Sequence, residues 1–131
     1  MVEGVTATPS PGRQFAEALA TKDFERARGV LDPQVDFRGL TPNRSWEAGD
    51  AGVVVEEILP AWLEPSDHVE ELLGVEEDRF ADREHVAYSV RGHNDDGPFV
   101  FEQHAYYTQS DGRIDWIRVL CSGFRPGSAG P

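Results

Sequence analysis

From His68 to Cys121 the chain alternates apolar and polar residues in four stretches, His68 to Val75, Glu84 to Arg91, Phe99 to Thr108 and Arg113 to Cys121. Period-two alternation is the mark of strands with one buried face. Three short turn signals interrupt it: Ala81-Asp82-Arg83, His93 to Pro98, and Ser110-Asp111-Gly112. Links this short join antiparallel neighbours, so the second half of the chain is constrained to a meander of hairpins. An earlier alternating stretch, Val35 to Arg38, adds a further strand.

The first half reads differently. Phe15, Ala18, Leu19 and Ala27 fall on one stripe at helical spacing between Gly12 and Gly29, with Arg13, Glu17, Lys22 and Arg26 on the other side. Thr21-Lys22-Asp23 breaks that helix, and Asp23 caps a second short one through Val30 and Leu31. Another helix runs from Asp50, its cap, to Leu63, with Val54, Ile58 and Trp62 on one face and Pro60 as a kink or stop. Helices followed by a strand meander predict an α+β domain, a curved sheet wrapped round N-terminal helices into a cone with an open mouth. Such cones hold small molecules.

Residues 1–11 read as a loose leader, 12–124 as a single domain, and 125–131 as a flexible tail within the Gly/Pro/Ser-rich SGFRPGSAGP. Twelve Lys plus Arg against 24 Asp plus Glu give a formal net charge of -12. That balance disfavours nucleic acid and anionic membranes as partners. No stretch approaches the ~20 apolar residues of a membrane span, and no secretion signal is evident, so a cytoplasmic location is expected. The one cysteine, Cys121, excludes an internal disulfide and a CxxC metal site. No metal or other cofactor is expected: the histidines offer no HxH, HxxxH or HxxE grouping, and Gly92 and Gly97 bracket a hairpin loop, not a phosphate cradle. Nine carboxylates against two arginines from Glu64 to Glu84 predict a solvated sheet edge.

The run LATKDFERARGVLDPQVDFRGL, the following helix, and hairpin-linked strands ending in DGRIDWIRVLCSGF resemble the nuclear transport factor 2-like superfamily, whose bacterial members include SnoaL-like polyketide cyclases, ketosteroid isomerases and limonene-type epoxide hydrolases. The resemblance spans about Phe15 to Phe124 and implies strand parity. On the last strand it directs Ile117, Val119 and Cys121 into the pocket and Trp116, Arg118 and Leu120 outward. On the strand before, it directs Glu102, His104 and Tyr106 inward. Phe37 and Gly39 of the first strand and Phe15 of the first helix complete the inner surface, with Tyr88 lining it and Trp46 as a lid.

The resemblance also implies where catalytic groups would stand. The isomerase base position matches Gly39, its phenol position Phe15 and its acid position His104. The cyclase general acid/base position matches Val119. Asp36, Arg38 and Asp115 are the residues available for an epoxide hydrolase set, with outward parity. What remains is Glu102 beside His104, an i, i+2 pair on one strand face, where a carboxylate would raise an imidazole pKa and fix its tautomer for acid–base work.

Two functions follow as expectations. One is a pocket protein binding a small, largely apolar, oxygenated ligand, polyketide- or steroid-like, without the usual catalytic residues. The other is a SnoaL-like cyclase or isomerase-type enzyme using Glu102 and His104 as its acid–base pair. A homodimer is expected in either case, built on an outer sheet face carrying Trp116, Arg118 and Leu120 with Phe101, Ala105 and Tyr107 of the neighbouring strand.

Overall fold

The computed structural model describes residues 9–127. Ser10 caps α1 (Pro11–Ala20) by accepting from the Arg13 N–H, and Pro11 occupies the first turn, where its missing donor costs nothing. Lys22 adopts φ 57° at the break. Asp23 then caps α2 (Phe24–Val30) by accepting from the Arg26 N–H. Strand β1 (Leu31–Thr41) starts immediately and turns into β2 (Arg44–Ala48). The sequence places a lid-bearing loop where β2 stands: Trp46 is part of a five-residue strand, half-buried on it.

Asp50 caps the third helical region, its carboxylate accepting from the N–H groups of Gly52 and Val53. This region comprises α3 (Ala51–Val53), a π-helical stretch (Val54–Ile58) and α4 (Leu59–Trp62). The wide turn has a cause in Pro60. Proline has no N–H to give the Glu56 carbonyl and its ring crowds that oxygen, and the preceding Leu59 N–H reaches back to Val54, five residues away. Pro60 therefore widens the helix without stopping it.

Strands β3 (His68–Phe80), β4 (Arg83–Asn94), β5 (Gly97–Ser110) and β6 (Arg113–Cys121) form the meander. The sheet order is β2-β1-β6-β5-β4-β3, with β1 and β6 parallel and the other neighbours antiparallel. In the β5–β6 turn Asp111 and Gly112 both take positive φ, 55° and 80°, as a two-residue hairpin matched to the strand twist requires. The carboxylate-rich β3 is the edge strand, exposed along most of its length, with two register shifts, one between Val69 and Glu71 and one beside Gly74. Charge there keeps the open edge from pairing with another chain.

The expected leader and tail lie mostly outside the described residues. Where they are described, Pro11 belongs to α1, and Arg125–Pro126 forms a short strand β7 that pairs with Phe99 and Val100 of β5. The pairing keeps the chain on the sheet as far as Gly127, whose N–H donates to the Pro98 carbonyl at 2.9 Å.

The core fills the concave side. Phe15 and Leu19 of α1, Ala27 of α2, Val54, Ile58 and Leu59 of the third helical region, and the inward residues of β1, β4, β5 and β6 are all buried. Tyr107 pins α1 to the sheet, its hydroxyl accepting from the Gly12 N–H at 3.0 Å. A Cβ at Gly12 would lie 2.6 Å from that ring, so only glycine permits the approach. No helix among the described residues is long and apolar enough to cross a membrane.

Candidate functional site

A cavity of about 560 Å³ opens at the mouth of the cone. Trp62 and Leu63 at the end of α4 form one wall, and Thr41 and Trp46 of the β1–β2 hairpin a second. The Glu64–Asp67 loop and the Asn94–Asp96 turn make its acidic rim. Phe101 and Gln103 of β5, with Cys121 and Phe124 after β6, form the floor.

Gln103 is the centre of this floor. It is 1% exposed and sits among Phe99, Phe101, Ala105 and Tyr107, the inward residues of β5. Its Oε1 accepts from the Tyr88 hydroxyl at 2.5 Å, across the β4–β5 pair where the two residues stand opposite. Burial pushes the Tyr88 phenol far above its ordinary range, so it stays a neutral donor. That bond fixes the side-chain amide: its oxygen is used and its Nε2 has no protein partner among the described residues, on a residue that lines the cavity.

Asp67, 7% exposed, is the buried carboxylate of the site. It accepts from the Glu64 N–H at 2.9 Å and from Asn94 Nδ2 at 3.0 Å, tying the loop after α4 to the β4–β5 turn. Lys22 Nζ donates to the carbonyl oxygens of Glu64 and Asp67 at 2.7 and 2.8 Å, which anchors the loop to the end of α1. Deeper in, Trp62 packs on Phe37 with ring centroids 5.8 Å apart and meets Trp46 edge-on at 6.4 Å. Its Nε1–H is buried without a partner among the described residues, a loss of roughly 1–3 kcal/mol.

The sequence-predicted residues divide into three groups. Phe15, Phe37, Ile117 and Val119 point inward as expected, but they are core, packed beneath the helices instead of lining the open cavity. Trp46 lines the mouth, its Nε1 donating to Thr41 Oγ1 at 3.0 Å, and Tyr88 stands behind Gln103 as its support. Glu102, His104 and Tyr106 do not point inward. They occupy the exposed parity of β5, on the convex face.

The reason is register. β5 pairs with β6 as Gln103↔Cys121, Ala105↔Val119 and Tyr107↔Ile117, so if Ile117, Val119 and Cys121 face in, the odd-numbered residues of β5 must face in with them. A one-residue slip inverts every side chain. The same correction removes Phe101, Ala105 and Tyr107 from the expected outer patch. They are 3%, 0% and 2% exposed on the inner face.

Glu102 and His104 do touch: Glu102 Oε2 lies 2.6 Å from His104 Nε2. The contact extends across the convex face through His104 Nδ1 and His85 Nε2, 3.3 Å apart, to Asp78, whose Oδ1 is 2.7 Å from His85 Nδ1. The Tyr106 ring packs tilted against His85, with centroids 4.7 Å apart. None of this reaches the cavity. Among the described residues no group of three or more His, Cys, Asp and Glu side chains is arranged to hold a metal ion.

Gln103, Asp67, Asn94, Trp62 and Phe124 were not singled out by sequence. Gln103 carries a readable signal as the one polar residue on the apolar parity Phe99, Phe101, Ala105, Tyr107. Asp67 and Asn94 lie at the ends of strands in acidic surroundings, and nothing local distinguishes them from solvated residues.

Comparison with solved structures places this architecture. A proposed isomerase from Bacillus subtilis aligns with a TM-score of 0.70 at 18% identity, over 86% of this chain and 84% of its own. A protein with a ketosteroid isomerase-like fold from Catenulispora acidiphila, solved in complex with trimethylamine, aligns at 0.60 and 14% identity over 86% and 85%. The chain has the NTF2-like, ketosteroid isomerase-like fold. An LEH-like epoxide hydrolase of M. tuberculosis shares the NTF2-like fold at 0.61 and 13% identity, over 88% and 80%. No protein-family model and no curated protein matches the sequence.

Proposed function

We propose that this NTF2-like chain binds a small, largely apolar ligand carrying an oxygen acceptor, of polyketide- or steroid-like character, in the cavity at the mouth of the cone. One observation carries the reading: Gln103 is buried on the cavity floor with its oxygen held by Tyr88 and its amide N–H groups left for a ligand. Trp62 Nε1 alone is fully enclosed without a partner among the described residues, so the Gln103 amide nitrogen is open toward the cavity, where a ligand carbonyl, ether or hydroxyl oxygen would accept from it. The volume lies within the range of small-molecule sites.

Binding without turnover is favoured by what surrounds the matched catalytic positions. Gly39, at the isomerase base position, has no side chain, and a Cβ there would lie 2.8 Å from the Trp62 ring. The indole therefore fills the space a carboxylate would need. Phe15 and Val119 offer no proton at the other positions. Glu102 and His104, the acid–base pair of the enzyme alternative, face away from the cavity, which deprives that alternative of a shared site with the ligand.

A homodimer through the convex face remains part of the proposal, on a revised patch. Leu40, Tyr106 and Leu120 are 54%, 42% and 58% exposed there, beside Arg118. We also place the protein in the cytoplasm, where Cys121 stays a thiol. The ligand test is a tryptophan-fluorescence titration with 3,3-dimethyl-1-phenylbutan-1-one, a compact neutral ketone. Saturable binding that weakens about tenfold in Gln103→Leu is expected, as for loss of one hydrogen bond. No binding to the wild type, or equal affinity in the variant, overturns the reading.

A further inference from the structure

The charge distribution round the cavity selects among ligands. Glu64, Asp67, Asp95 and Asp96 all line it, and no Lys, Arg or His does. Acidic residues at a surface are ordinarily just solvated, but Asp67 is not at the surface. It is 7% exposed, and both of its hydrogen bonds come from neutral donors, the Glu64 N–H and the Asn94 amide. Lys22 reaches the same loop, yet its ammonium donates to the Glu64 and Asp67 carbonyl oxygens, and no ion pair to the Asp67 carboxylate forms among the described residues. The Lys22 charge is thus directed at the loop backbone while the Asp67 carboxylate takes only neutral donors, and a cation entering the cavity would be drawn to that carboxylate.

The second observation is independent of charge. Gln103, 1% exposed on the floor of the same cavity, has its amide nitrogen unpartnered. An acidic cavity whose floor presents a hydrogen-bond donor suits a molecule with an acceptor oxygen at one end and a positive nitrogen at the other. Trp62, Phe101 and Phe124 add aromatic surface to the same cavity, and aromatic faces attract an alkylammonium.

Resting on the ligand site proposed above, we infer that its natural occupant is an amine or quaternary ammonium compound bearing a carbonyl or hydroxyl oxygen, with the cation held toward Asp67 and the oxygen on Gln103. The acidic rim excludes carboxylates and phosphates of similar size.

The inference is tested with two probes of one shape, phenacyltrimethylammonium and 3,3-dimethyl-1-phenylbutan-1-one, in which a quaternary nitrogen and a quaternary carbon stand at the same place beside the same ketone. Titrated against the full chain at low ionic strength, the cation should bind roughly tenfold or more tightly than the neutral ketone. Added salt should narrow the gap, and Asp67→Asn should reduce it to about two- to threefold. Should Asp67→Asn not fold, the exposed pair Asp95→Asn/Asp96→Asn gives the same readout and should shrink the gap in part. Equal affinity of the two probes, or a preference unmoved by salt and by these variants, overturns the inference while leaving the neutral-ketone site in place. Failure of both probes to bind overturns both.

Discussion

Replacing Tyr88 by Phe removes one oxygen from the interior and leaves its surroundings almost unchanged in volume. The Tyr88 hydroxyl donates to Gln103 Oε1 at 2.5 Å, and both residues are essentially inaccessible, at 2% and 1% exposure. With the hydroxyl gone, the Gln103 oxygen is a buried acceptor without a partner, at a cost of about 1–3 kcal/mol. For a chain of this size, each kcal/mol lowers the melting temperature by about 3–5 °C. Gln103→Leu orphans the Tyr88 hydroxyl instead and should cost about as much. In the double variant two apolar groups face each other and neither orphan exists, so its destabilisation should fall about 1–3 kcal/mol below the sum of the singles. Urea denaturation of the four proteins closes the cycle. Additive single effects would refute the reasoning, because they would mean that the two side chains do not depend on each other and that Gln103 is not held in place by Tyr88.

Alkaline conditions test the same burial. Burial raises the phenol pKa of Tyr88, and raises that of Tyr107 as well. The unfolded chain therefore releases these protons first, from about pH 10, so stability should be level below that pH and fall as pH rises above it, more gently in Tyr88→Phe; an equal fall in the variant would remove Tyr88 as a cause. Gly39→Ala should cost about 1–3 kcal/mol by pressing on the Trp62 ring, whereas Gly92→Ala should cost more, since its Cβ would lie 2.2 Å from the backbone oxygen of His68, which cannot rotate away; thermal melts rank the two. On the convex face, Leu120→Glu should convert a particle of twice the 14.5 kDa chain mass to the single chain in light scattering, and a wild type already at the single mass removes the dimer.

The fold was legible because its signals are local and agree. Asp23 and Asp50 cap the helices the sequence assigns to them, the three turns fall on the Asp-containing breaks in the alternation, and the acid-rich segment is the sheet edge. The short β2 was not legible, since Arg44 to Ala48 reads as a turn unless β1 is known to lie beside it. The site was half legible. Parity on β1 and β6 follows from Phe37, Ile117 and Val119, whereas the resemblance to the superfamily implies an inward Glu102 and His104 on β5. The alternation in β5 itself favours the other parity: Phe99, Phe101, Ala105 and Tyr107 share one face and Glu102 and His104 the other, and the hydrophobic effect buries the first set. Asp67 was beyond reach for a different reason, because its burial arises from Lys22, Glu64 and Asn94, contributed by three separate parts of the chain.

The central claim is that the ligand is met by the side-chain amide of Gln103 at the mouth of the cone. Its most direct test is a nitrogen-15 NMR titration of the full chain with 3,3-dimethyl-1-phenylbutan-1-one, following the Gln103 Nε2 resonances and the Trp62 indole N–H. The account predicts saturable shifts of the Gln103 amide at the same midpoint as the fluorescence titration, with the convex-face residues His104 and Tyr106 unmoved. Shifts confined to that convex face, or a Gln103 amide that stays still while ligand binds, would contradict it.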